Sequence, residues 1–201
     1  MTEILLVGND YWGREAARRV NEVFPEVIIF ADSTNSLRRV LRLILRKRIS
    51  LESALKIVMC ALHKGRFYSS KRSPFAMIGD NEELQLALKE FNPSSVILFR
   101  AGLILDKKTL SYPADFLNIH AARLPEYPGL GALTKAIKDG QLLGAATLHR
   151  INSRVDDGEI IDFFEYHLTS SMNYCTVESI AYEAGISLLL HHLQRNKRLG
   201  T

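Results

Sequence analysis

Asn118 and His120 stand two residues apart behind the apolar pair Phe116-Leu117, in the stretch "FLNIHAARLPEYPGLGAL". A second imidazole and a carboxylate, His149 and Asp156, follow in "TLHRINSRVDDGEII". On an extended strand, residues two apart project to the same side, so the amide of Asn118 and the imidazole of His120 leave the chain together. An amide is a neutral hydrogen-bond donor for a developing oxyanion. An imidazole takes up or returns a proton near neutral pH. A carboxylate converging on them can hold the imidazole charged or orient a water as a proton shuttle. None of these groups is a strong nucleophile here, so the set suits direct acyl transfer between two bound ligands better than a covalent intermediate.

The loop after His120, "ARLPEYPGLG", carries Pro125 and Pro128 to fix backbone angles and Gly129 and Gly131 to permit unusual ones. It can form a rigid wall beside a ligand. His149 has two readings of about equal weight, a core histidine with a backbone partner or a residue that touches substrate or tunes Asp156. Asp157 has the plain alternative of a solvated carboxylate.

The elements that must position these groups follow an α/β rhythm. "EILLVGN" is an apolar strand ending in Gly8 and Asn9, "YWGREAARRVNEVF" has helical composition, and "EVIIFADS" is a second strand. This opening predicts an α/β fold with a doubly wound, mostly parallel, Rossmann-like sheet and ligands beyond the carboxyl ends of its strands. The rhythm breaks at about residues 36–72, read as a helical insertion. It returns with the helix "NEELQLALKEFNP", the strand "SSVILFRAG", a short helix or turn "DKKTLSYP" and the strand "DFLNIH". The helix "LTKAIKDGQ", the strands "GAATLHRI" and "GEIIDFFEYHL" and a final helix complete the chain. One domain over residues 1–201 is expected.

Charge is uneven. The net charge is +4, but Arg38 to Arg72 holds eleven Lys and Arg against Glu52 alone, so this segment carries +10 and the remainder −6. A solvated helix face is the plain reading, with diphosphate recognition second; no RNA-binding signature accompanies it, and no nucleic acid partner is expected. Cys60 and Cys175 belong to no C-x-x-C pair, so two reduced thiols and no metal site are expected. The N-terminal apolar run is too short for a signal peptide and no stretch is long enough to span a bilayer, which makes a cytoplasmic location the default.

At the Asn-x-His and Asp residues the sequence resembles the folate-dependent formyltransferases. That family's pattern is Asn-x-His, a Leu-Pro and Gly-containing loop, a strand with His, and an Asp in an apolar-Asp-x-Gly turn. Here it reads "NIHAARLPEYPGL", then "TLHRINSRVDDGEII". The resemblance implies Asn118, His120 and Asp156 as a catalytic trio and 10-formyltetrahydrofolate as cosubstrate. "RAGLILDKKTL" is similar to the family's segment before the Asn-x-His strand. By that analogy Leu103, Ile104 and Leu105 border the pterin, with Val155, Asp157 and Gly158 opposite. The match is specific from about Ser95 to Leu168. The family usually has Pro-Ser after the His where this chain has Ala121-Ala122, and it suggests a cis Leu124–Pro125 bond.

The resemblance leaves several acceptors. The methionyl-tRNA branch carries an extra C-terminal domain, for which this chain ends too soon. The glycinamide ribonucleotide branch shares "YPGL" but has a Gly-Ser-Asn phosphate loop after the first strand, where this chain has "GNDYWG". A nucleotide-linked amino sugar, as in polysaccharide biosynthesis, is therefore favoured over phosphoribosylglycinamide; a folate- or nucleotide-binding module without turnover is the reading from another class. Gly8, Asn9, Asp10, Trp12 and His149 are candidate acceptor contacts, against the plain alternatives of a turn glycine, a helix cap and a packed aromatic. A homodimer is left open by the apolar faces of the last helix.

Overall fold

The computed structural model describes residues 2–34, 55 and 74–199. The expected helical insertion and nearly all of the basic segment lie outside the described residues. Among the described residues, seven strands form one sheet in the order β3-β2-β1-β4-β5-β6-β7. They are β1 (Glu3–Gly8), β2 (Ile28–Asp32), β3 (Ala76–Ile78), β4 (Ser95–Phe99), β5 (Asp115–His120), β6 (Leu143–Arg150) and β7 (Ile160–His167). The pairs from β3 through β5 are parallel, whereas β5–β6 and β6–β7 are antiparallel. The sheet is thus mostly parallel, as the β-α-β opening predicts.

Central parallel strands are covered on both faces and become apolar throughout. β4 shows this, with every residue of Ser95–Phe99 buried. Leu5, Val7, Ile97, Phe99, Leu117 and Ile119 point to one face, under α1 (Tyr11–Val23) and the long C-terminal helix. Ile4, Leu6, Val96, Leu98 and Phe116 point to the other, where Leu84 and Leu88 of α2 (Asn81–Phe91) cover them. Alternation along each strand therefore builds two cores on one sheet.

Local signals fix the helix ends. Asp10 caps α1 by accepting the Gly13 N–H at 2.9 Å. Asp80 caps α2 through the Glu83 N–H at 2.9 Å, and α2 stops at Asn92 in a left-handed conformation, φ 44°, just before Pro93. A short α3 (Lys107–Leu110) is capped by Asp106. α4 (Ala132–Lys138) follows the proline loop, and α5 (Tyr174–Leu199) closes the chain. Cys175 is disulfide-bonded, which corrects the expectation of a reduced thiol there. Spacing along a chain carries no information about which segments approach each other.

Candidate active site

β5 presents the first two site residues as its period requires. Leu117 and Ile119 are buried on one face, so Asn118 and His120 share the other with Phe116. β6 lies antiparallel beside them, with Asn118 opposite His149 and His120 opposite Thr147. Thr147 organises the proline loop. Its hydroxyl donates to the Ala122 carbonyl at 2.9 Å and accepts the Leu124 N–H at 3.2 Å. The Leu124–Pro125 bond is cis.

The third residue arrives from the β6–β7 connection. Asp156 Oδ2 lies 3.4 Å from His120 Nδ1, and Oδ1 lies 3.5 Å from His149 Nε2. Asp156 occupies the left-handed region, φ 54°, uncommon for a residue with a side chain. Its carboxylate also accepts the Gly129 N–H at 2.8 Å, tying this turn to the proline loop. Gly158 lets the turn close, since a Cβ there would lie 1.8 Å from the Arg150 carbonyl oxygen.

The hydrogen bonds assign the protons. His120 Nε2–H donates to the Tyr127 carbonyl at 2.8 Å, which leaves Nδ1 to face Asp156. His149 Nδ1–H donates to the Arg150 carbonyl at 2.9 Å, so its Nε2 accepts from Asn118 Nδ2 at 3.0 Å. The second Asn118 Nδ2 hydrogen has no partner among the described residues. Burial pushes the His120 imidazole below its ordinary range, and the attraction of Asp156 offsets only part of this. Burial works to raise the Asp156 carboxyl, but the neighbouring His149, the facing His120 and the Gly129 N–H outweigh it and hold it below the usual carboxylate range. The resting site is a neutral imidazole whose vacant nitrogen faces a carboxylate. A proton arriving at that nitrogen is stabilised where it lands.

The structure brings Asn118, His120, His149 and Asp156 together, and His149 touches both Asn118 and Asp156. The other candidates divide. Leu103 and Leu105 are buried, whereas Ile104 and Val155 are each 67% exposed and free to cover an apolar ligand. Asp157 turns instead to an exposed ion pair with Arg154 at 3.2 Å. Asn9 accepts from Arg14 at 2.8 Å. Asp10, besides capping α1, pairs with the Arg100 guanidinium. Gly8 packs against Arg100, whose carbonyl oxygen would lie 2.6 Å from a Cβ at that position. Trp12 has the packed-aromatic place that was its plain alternative. It is only 4% exposed and packs against Tyr182, because Trp12, Ala16 and Val20 form the buried stripe of α1.

Thr147, the Tyr127 carbonyl and the Gly129 N–H are additional parts of the site. Thr147-x-His149 mirrors Asn118-x-His120 across the two strands, and that spacing is the one mark any of them leaves in the sequence. Among the described residues, no group of three or more His, Cys, Asp or Glu could hold a metal ion, and no helix is long and apolar enough to cross a membrane.

The seven-stranded, mostly parallel sheet is a Rossmann-like formyltransferase fold. The chain belongs to the formyl transferase family, whose model matches residues 59–185. It is 29% identical over 115 residues to the methionyl-tRNA formyltransferase of Caldicellulosiruptor saccharolyticus, covering 57% of this chain and 37% of that protein. It is 31% identical over 105 residues to the same enzyme of Campylobacter fetus subsp. fetus, covering 51% and 34%. The chain thus spans about a third of the length of these curated relatives. Solved structures of the same fold include the N-formyltransferase of Helicobacter canadensis in complex with folinic acid and dTDP-3-aminofucose. There the TM-score is 0.64 at 16% identity, covering 97% of this chain and 64% of that one. Phosphoribosylglycinamide formyltransferase of Anaplasma phagocytophilum superposes with a TM-score of 0.64 at 21% identity, covering 92% and 81%.

Proposed function

We propose that this chain transfers the formyl group of 10-formyltetrahydrofolate to the amine of a nucleotide-linked amino sugar. The convergence of Asn118, His120 and Asp156 carries the reading. In this scheme the amine nitrogen attacks the formyl carbon, and a C–N bond forms. The carbonyl oxygen becomes an oxyanion that the uncommitted Asn118 N–H stabilises. The amine proton passes to His120 Nδ1, where Asp156 holds the imidazolium. Collapse breaks the bond to N10 of the folate, which takes that proton and leaves as tetrahydrofolate. Ile104 and Val155 would cover the pterin.

The choice of acceptor is supported by the first βα turn. In this chain Asp10 already fills the N-terminus of α1 and pairs with Arg100, so an internal carboxylate stands where an acceptor phosphate would meet that helix. This speaks against glycinamide ribonucleotide held at that turn. The Helicobacter canadensis structure, with its folate and dTDP-sugar, supports the favoured branch. A methionyl-tRNA acceptor is the second reading, favoured by the sequence relatives.

The test is incubation with 10-formyltetrahydrofolate and a panel of amino-sugar nucleotides, glycinamide ribonucleotide and methionyl-tRNA, with formyl addition followed by mass. Gain on a sugar nucleotide alone is expected. Asn118→Ala should lower kcat about 10²- to 10³-fold with little change in folate affinity. Gain on another acceptor overturns the branch, and binding without any gain would favour a module that has lost turnover.

A further inference from the structure

Asp32 is fully buried at the last position of β2, outside the trio. Its Oδ1 accepts the Thr34 N–H at 2.7 Å. Its Oδ2 accepts two successive backbone N–H groups, from Gly102 and from Leu103, the latter at 3.1 Å. Both belong to the segment that leaves β4, on the far side of β1. A carboxylate removed from water is costly unless its lone pairs are filled. Here backbone amides fill them, and successive amides aimed at one anion form a rigid cradle.

Strand register explains the reach. Asp32 pairs with Gly8, Val7 with Phe99, and Phe99 with Ile119. Asp32, Gly8, Arg100 and His120 therefore form one row across the carboxyl end of the sheet. Gly8 is the low point of that row and leaves no side chain between Asp32 and the exit of β4. Arg100, at φ 57°, then turns the chain out of the strand. The segment is held again at its far end. Asn81 donates from Nδ2 to the Ile104 carbonyl at 3.0 Å and accepts the Asp106 N–H on Oδ1 at 3.0 Å. Between the two clamps Leu103 and Leu105 are buried and Ile104 alone of the three is thrust outward.

We propose that Asp32 is a positioning residue for the formyl donor: through Gly102 and Leu103 it fixes the Arg100–Leu105 segment that walls the folate beside His120. This rests on the formyl-transfer reading above. Asp32 touches no reactant, so its loss acts through the wall.

Asp32→Asn keeps the shape but offers one acceptor oxygen and sets an NH₂ against a backbone N–H. The expected result is a rise of about 10- to 100-fold in the Kd for folinic acid and the KM for 10-formyltetrahydrofolate. At saturating donor, kcat and the acceptor KM should stay near wild type. Hydrogen exchange at the Gly102 and Leu103 amides should accelerate in the same variant. A merely structural role predicts a loss of folded protein with KM unchanged, and that result overturns the proposal. So does an Asp32→Asn protein that binds folinic acid as tightly as the wild type. Should Asp32→Asn not fold, Asn81→Ala loosens the far clamp of the same segment and must raise the donor KM; an unchanged KM there also overturns it. A wild type that binds no folinic acid would instead sink the formyl-transfer reading itself, and the donor role with it.

Discussion

Asp156 divides its two oxygens among His120, His149 and the Gly129 N–H. This gives the residue two separable duties, one electrostatic and one geometric. Asp156→Asn retains the size of the side chain and removes the charge. Its expected effect is a fall in kcat of about 10²- to 10⁴-fold, the range for a positioned proton-transfer group. The same variant tests the pH profile. With neutral His120 as the proposed base, the acid limb of kcat/KM should fall as pH drops through a value below the ordinary histidine range. Asp156 raises that value toward normal, so Asp156→Asn should move the limb to lower pH as well as lower the plateau; a limb left in place argues against His120 as the proton acceptor. At this scale the sequence speaks clearly where side chains act. Asn118, His120 and His149 are legible because a strand repeats every two residues. The Tyr127 carbonyl and Gly129 N–H are not, because every residue carries such groups and only the folded loop selects two of them.

At the scale of elements, α1 and β1 show how closely backbone meets backbone. A Cβ on Gly13 would lie 1.8 Å from the Gly8 carbonyl oxygen, where the first turn of the helix rests on the end of the strand. Intrinsic propensity favours Ala over Gly inside a helix by about 1 kcal/mol. The contact reverses that preference. Gly13→Ala should destabilise the fold by about 2 kcal/mol or more, read from urea unfolding, because neither backbone can retreat. A more stable Gly13→Ala protein would show that the turn shifts freely. The alternation of strands and helices was readable from apolar runs and caps such as Asp10 and Asp80. The reversal at β6 was not. The segment between β5 and β6 contains a loop and α4, long enough to return the chain in either direction. β3 leaves little mark in the sequence because Ala76–Ile78 is three residues long, with only Ile78 buried.

At the scale of the whole molecule, two buried imidazoles tie stability to pH. His192 is 6% exposed on α5, with Nε2 against Asn196 at 3.1 Å. Burial first, then neighbouring Arg195, lowers it to about 4. The unfolded chain binds that proton near pH 6.5, well before the folded one does. Stability from this group is therefore complete above the unfolded value and is lost as pH falls from about 6.5 toward 4. His120 acts in the same direction. Between pH 7 and pH 5 the His192 contribution should fall by about 2 kcal/mol. His192→Gln should remove that part of the slope in urea titrations at the two pH values. An unchanged slope would mean that water reaches the ring.

The trio and its supports lie between residues 118 and 156, inside the stretch that the family model matches, whereas the first βα turn lies outside it. Under the proposed assignment, chemistry and choice of acceptor are therefore written in separate stretches of the chain. Under that proposal, substitutions around Asn9 and Asp10 would change the acceptor and leave the reaction in place. Descent is then best traced through the β5–β6 segment, and metabolic habit through the turn after β1.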